Sequence, residues 1–280
     1  MSAFICTIAG GKGGVGRTTT AINMGIVFEE GGYDTVLVDA DLGMTNVGKM
    51  LDIDTEETLH DALAGSATVE EALTETAGGL TVIAGDGDLE AYAKADPAKL
   101  RDVIDELRDD FDVILIDTSP KISHEMAVPL GLADGILLVS TGDSVALSDT
   151  DRTAEMAERV DGNVFGVILA RATQKSDVEK VREHLDIPIL GVVPENTEAA
   201  REQPFVRNVE GEPVSVAYKG LTALLIRSFE TDEVPAEMEP VFEASWFGEQ
   251  EEFEAEDEGS TAEDDEEDDP ESLNMFRPRF

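Results

Sequence analysis

Residues 10–19 read Gly10-Gly11-Lys12-Gly13-Gly14-Val15-Gly16-Arg17-Thr18-Thr19, and an apolar run, Ala3–Ala9, leads straight into them. A stretch patterned as a helix, Thr18–Glu29, follows. Strand, glycine-rich turn and helix in that order let successive backbone N–H groups converge on one anion, and glycine permits the curl. The helix N-terminus adds the positive end of its dipole. The Thr18 hydroxyl is placed to serve a divalent cation beside bound phosphates. Where such loops usually carry a lysine, this one carries Arg17.

Outward from this loop, short apolar runs alternate with helical patterns. Strands are predicted over Thr35–Asp39, Leu80–Ala84, Val113–Asp117, Gly135–Ser140, Val164–Ala170 and Ile187–Val193, several of them near-continuous Val, Ile and Leu. Such runs suit strands buried on both faces. Helices are predicted near Pro97–Asp109, Glu125–Leu132, Ser148–Val160, Ser176–His184 and Val216–Phe229, while Val145–Thr150 reads as a loop and cap. The alternation predicts an α/β fold in three layers, with a mostly parallel central sheet and ligands at the carboxyl ends of its strands.

Two of those strands end in carboxylates. One runs Val36-Leu37-Val38-Asp39-Ala40-Asp41 and continues to Asn46; the other runs Val113-Ile114-Leu115-Ile116-Asp117 and continues through Lys121 to His124. A strand-end aspartate downstream of a phosphate loop suits a cation bound with nucleotide. His124 reads as a helix-start residue.

With its lysine ahead of the glycines, the 10–19 stretch resembles the deviant Walker A loop of the MinD/ParA family of dimerising P-loop ATPases. The resemblance covers about residues 1–229, and implies a P-loop NTPase-type sandwich binding ATP and Mg²⁺. Gly11, Lys12, Gly13, Gly14, Val15, Gly16, Arg17, Thr18 and Thr19 would form the phosphate loop, with Lys12 reaching across a dimer to the partner's nucleotide. Asp41 would handle the attacking water, and Asn46 would hold phosphates. Thr18 and, through water, Asp117 would hold the metal, with Asp41 a further metal-side candidate. Arg171 and Pro194 would face adenine, and Ala170 stands where the family has asparagine. The family role implied is that of a spatial organiser, in cell division or positioning, which dimerises on Mg·ATP, hydrolyses it slowly and recruits a protein partner. Arg17, Lys121 and Ala170 depart from the pattern and keep a second reading open, a non-hydrolysing nucleotide-binding scaffold.

Composition narrows the setting. The chain has 280 residues, 41% of them hydrophobic, and a net charge of −42. Residues 1–229 alone hold 41 acidic and 18 basic residues. Excess acid on body and tail predicts a protein working in high salt, where self-repulsion is screened. It argues against nucleic-acid binding, which needs clustered Lys and Arg. Cys6, the single cysteine, reads as a buried small hydrophobe. No apolar run approaches the roughly 18 residues that span a bilayer, so a cytoplasmic protein is expected.

Residues 230–280 are predicted to be an acidic, unfolded tail, since 230–269 contain no Lys or Arg and little apolar surface. Trp246 and Phe247 interrupt it as a candidate docking spot. The ending Leu273–Phe280 is apolar and basic, but too short and too interrupted by Pro278 for a membrane anchor.

Overall fold

The computed structural model describes residues 3–120, 123–174, 176, 178–197, 203–231, 235, 239–243 and 246. Its strands are β1 (Phe4–Ala9), β2 (Thr35–Ala40), β3 (Leu73–Glu75), β4 (Thr81–Ile83), β5 (Val113–Thr118), β6 (Gly135–Ser140), β7 (Val164–Ala172) and β8 (Ile189–Pro194). Its helices are α1 (Arg17–Glu30), α2 (Val47–Leu51), α3 (Leu59–Ala64), α4 (Val69–Ala72), α5 (Leu89–Lys94), α6 (Leu100–Leu107), α7 (His124–Leu132), α8 (Ser144–Arg159), α9 (Val178–His184), α10 (Phe205–Asn208) and α11 (Pro213–Thr231).

The strands form an 8-stranded sheet in the order β3-β4-β2-β5-β1-β6-β7-β8. Every pairing is parallel except that of β3 with β4. Along the central strands, successive side chains alternate between two cores. Cys6, Ile8, Leu37 and Leu115 join α1 and α11 on one face, whereas Ile5, Val36, Val38, Ile114 and Ile116 join α3 and α6 on the other. Both faces are covered, which is why these strands read as continuous apolar runs. In α6 the buried residues are Leu100, Val103, Ile104 and Leu107, the spacing of one helical face. Cys6 is buried and unpaired, and burial pushes its thiol pKa up, as befits a hydrophobe in the core.

Two boundaries differ from the sequence expectation. Helix α8 begins at Ser144, so Val145–Thr150 forms its first turns rather than a loop; Asp143 caps it by accepting the Ala146 N–H at 3.1 Å. At the other end, the expected boundary at 229 falls inside α11. Beyond it, the Val241 N–H donates to Leu190 at 2.8 Å and the Val241 carbonyl accepts from Val192 at 2.9 Å, laying one more backbone segment along β8. The approach is close: a Cβ at Gly220 would come within 2.7 Å of Val241 Cγ1. Val241 and Trp246 both pack against the first core. These contacts seat Val241 and Trp246 on the folded body, within the stretch from 230 onward that composition alone assigns to the tail. Phe247, Leu273–Phe280 and Lys121 lie outside the described residues.

Ending the chain after Thr231 is therefore expected to lower the unfolding free energy by about 1–3 kcal/mol, from two lost backbone hydrogen bonds and lost apolar cover. Val241→Pro, which removes the N–H donor together with the packed valine side chain but leaves the rest of the segment, should give part of that loss. Denaturant titration at matched salt checks both, and an unchanged midpoint for the truncated chain would contradict the seating of Val241.

Candidate functional site

Register places the chemistry. Asp39 on β2 and Asp117 on β5 are direct partners across the ladder, both at the carboxyl ends of their strands. β1 pairs with β5 on the other side and delivers the glycine loop to the same edge. Gly16, at φ 107°, caps α1 in a left-handed conformation that an L side chain rarely adopts. Val15 is buried in the core, so it offers the site only its backbone.

Arg17 does not lie open to the crevice. It is buried, and its guanidinium is tied to three carbonyls: Nη1 donates to Gly10 at 2.6 Å and Lys12 at 3.0 Å, and Nε to Thr118 at 3.0 Å. A rigid fork bonded at fixed angles braces the loop against the end of β5. Burial lowers its pKa, and Asp117 and Asp41 oppose that shift.

Next to it, the Thr18 hydroxyl donates to Asp117 Oδ2 at 2.6 Å. Asp117 Oδ1 is buried with no hydrogen-bond partner among the described residues. An unpartnered buried carboxylate oxygen beside a threonine hydroxyl is a hard-oxygen donor set that suits Mg²⁺. Asp39 is buried as well, but its oxygens accept three backbone N–H groups, from Asp41 at 3.3 Å, Asn46 at 3.0 Å and Val47 at 3.1 Å. It shapes the loop carrying Asp41. Burial pushes Asp39 up to about 6, against the pull of the Val47 and Asn46 amides. Burial and then the Asp39 charge push Asp117 up to about 8. Without a cation, the pair holds on to a proton near neutrality.

Asp41 is 5% exposed and its Oδ1 accepts the Met44 N–H at 3.1 Å. The exposed Asn46 turns its amide onto its own loop, donating to the Met44 carbonyl at 2.7 Å. Lys12 is held in its own chain, by Asp143 at 2.9 and 3.0 Å. The Thr141 hydroxyl, Lys12 and the Ala146 amide hold the Asp143 carboxyl well below the usual carboxylate range. Arg171, in the left-handed region at φ 54°, donates to Glu195 Oε1 at 2.9 Å and to the Gly14 carbonyl at 3.3 Å. Gly14, Gly16, Thr19, Ala170, Arg171 and Pro194 line one cavity of about 400 Å³, closed by Phe205, Val214 and Tyr218. It is of the size and mostly apolar character that suit a nucleoside.

The structure thus gathers Lys12, Arg17, Thr18, Asp41 and Asp117 at one edge, with Thr19, Arg171 and Pro194 on the adjoining cavity. Sequence reasoning missed Asp143 and Glu195, the carboxylates that pair with the two cations flanking the loop. Asp143 carried a signal, an N-cap residue ahead of Ala146-Leu147. Glu195 carried none, since its role comes only from the pairing of β7 with β8.

This fold and loop define a P-loop nucleotide-binding protein, and comparisons narrow the class. A family model described as an AAA domain matches residues 3–164. An uncharacterized ATP-binding protein of Methanocaldococcus jannaschii is 32% identical over 234 residues, covering 80% of this chain and 89% of that protein. The septum site-determining protein MinD of Pyrococcus horikoshii, solved with Mg-ADP, superposes with a TM-score of 0.76 at 29% identity, over 84% of this chain and 100% of that one. MinD in the MinC:MinD cell division complex of Aquifex aeolicus gives a TM-score of 0.73 at 25% identity, over 86% and 99%. The chain belongs to the MinD/ParA family of P-loop ATPases.

Linkage sets a test. Asp39 and Asp117 have folded pKa values above the unfolded 3.8, so their protonated form stabilises the fold. That contribution is complete below about pH 4 and is lost as pH rises through about 6 to 8. Metal-free protein is therefore expected to melt lower at pH 8 than at pH 6, and Asp117→Asn to flatten the slope. Calorimetry across that range checks it; an equally steep slope in the variant would contradict it.

Proposed function

We propose that this protein binds ATP with Mg²⁺ at the glycine loop, dimerises on it, hydrolyses it slowly, and uses the ATP-bound dimer to recruit a protein partner as a spatial organiser. The observation that carries this is the Thr18–Asp117 pair with its unpartnered Oδ1, set beside a phosphate loop that has Lys12 at its outer edge. Support also comes from relatives: one is solved with Mg-ADP, and another in a cell division complex with MinC.

The loop N–H groups and the α1 N-terminus would hold the phosphates. Phe205, Val214 and Tyr218 would exclude water around the base, and Arg171 would close the cavity beside it. Thr18 and Asp117 would hold Mg²⁺, which, when bound, neutralises phosphate charge. Asp41 would orient the attacking water and draw on its proton, its carboxylate fixed by the Met44 amide. Lys12 of the partner subunit and the loop amides would meet the charge developing on the transferred group.

To cross the dimer, each Lys12 leaves Asp143. Lys12→Ala is expected to abolish Mg·ATP-dependent dimerisation. Asp143→Asn keeps a capping oxygen but loses the charge, so dimers should form at about two- to fivefold lower protein concentration. Light scattering with a non-hydrolysable ATP analogue checks both. A dimer in Lys12→Ala equal to wild type would sink the trans role of Lys12.

The scaffold reading is favoured by one observation, the three carbonyls that tie Arg17 to the loop. A fork so engaged can brace bound phosphates yet follow a moving group poorly, so turnover suffers more than binding. Arg17→Lys is expected to raise the ATPase rate with ATP affinity within about threefold, at lower thermal stability. If turnover instead falls, Arg17 is adapted to the chemistry and the scaffold reading loses its support.

A further inference from the structure

His60, in the first turn of α3, is a buried ring to which the steps above give no task; it is 1% exposed. Its Nδ1 accepts the Asp86 N–H at 3.0 Å, and its Nε2 lies 3.0 Å from the Leu42 carbonyl. A backbone N–H can only donate, so Nδ1 is bare and Nε2 carries the proton given to Leu42. Leu42 directly follows Asp41.

The ring itself is held firmly. Thr58 and Asp61 form a reciprocal capping box that fixes the start of α3. The Leu59 N–H donates to the Ala84 carbonyl at 2.8 Å, docking α3 on the 84–86 segment. That segment also presses on the Asp41 loop, since a Cβ at Gly85 would overlap the Thr45 side chain. The Leu42 side chain packs in the same core as Leu59 and Leu63. Residues 84–86 and His60 together back the 41–46 loop, and the ring is the hydrogen-bonded strut between them.

We propose that His60 is a positioning residue for Asp41: it spans the Asp86 amide and the Leu42 carbonyl, and so sets where the Asp41 carboxylate meets the attacking water. The proposal rests on the hydrolytic reading above. Removing the strut leaves a buried carbonyl and a half-buried amide without their ring partner, and the loop must shift or admit water to satisfy them. A displacement of order 1 Å at a water-orienting group costs about 100-fold in rate.

The test uses the full chain and two readouts, Mg·ATP turnover and hydrogen exchange at the 41–47 amides in the Mg·ATP-analogue state. His60→Phe fills the volume without bonds, and is expected to lower kcat about 10- to 100-fold, with ATP affinity within about threefold and faster exchange across 41–47. His60→Gln offers a donor and an acceptor separated by one carbon, as the ring does, and should recover most of the rate and of the protection. Gly85→Ala, whose Cβ would overlap the Thr45 side chain while meeting the ring only at an ordinary 3.5 Å contact with His60 Cε1, should resemble His60→Phe. Wild-type rate and exchange in His60→Phe, or no advantage of Gln over Phe, would overturn the proposal. If the wild-type chain turns over no ATP, the hydrolytic reading fails separately; the exchange comparison then decides, and unchanged protection in His60→Phe overturns the positioning role.

Discussion

Two buried carboxylates on neighbouring strands are the constraint around which this molecule is arranged. Asp39 and Asp117 face each other across the β2–β5 ladder in the centre of the sheet, where bringing two like charges out of water is costly. Each is made tolerable differently. Three backbone N–H groups converge on Asp39, which obliges residues 41–47 to curl around it. Asp117 has the Thr18 hydroxyl and the Arg17 charge nearby, and keeps one oxygen without a hydrogen-bond partner among the described residues. A carboxylate left this incomplete in a dry setting is a standing demand for a cation, so the glycine loop and the Asp41 loop are built against it from opposite sides.

The cations at the mouth follow a related pattern. Lys12 is paired with Asp143, and Arg171 with Glu195. A polyanionic ligand must compete with those two carboxylates for the cations. Both pairs are half-exposed, so their strength falls with ionic strength. The deeper contacts of Arg17 are with carbonyl dipoles behind the loop, and salt reaches them far less.

Legibility in the sequence followed the range of the forces involved. The loop and the two strand-end aspartates were readable because each is a local statement, an apolar run ending in a polar turn. The region from Val47 to Ala72 was not, because α2, α3 and α4 have at most 6 residues each, too few for a helical period to emerge. Thr58-x-x-Asp61 and Thr68-x-x-Glu71 were the available signs, both capping boxes. Lys12 was recognisable, yet its resting partner lies 131 positions away and was set by the pairing of β1 with β6. Val241 escaped because acidic composition masks a single apolar residue whose backbone, not its periodicity, does the joining.

That seated backbone at Val241 has a colloidal consequence. β8 closes one side of the sheet, and a bare outer strand is a template on which further copies can add. Net negative charge ordinarily keeps like molecules apart, but at about 1 M salt the screening length shrinks to about 3 Å and that defence disappears. Cover supplied by the chain's own backbone does not weaken with screening. The opposite side ends in β3, a strand of 3 residues that turns antiparallel and finishes in Glu75, too short to template much. The bridge at Val241 and the shortness of β3 thus limit strand addition at the sheet's two sides by means that screening does not remove.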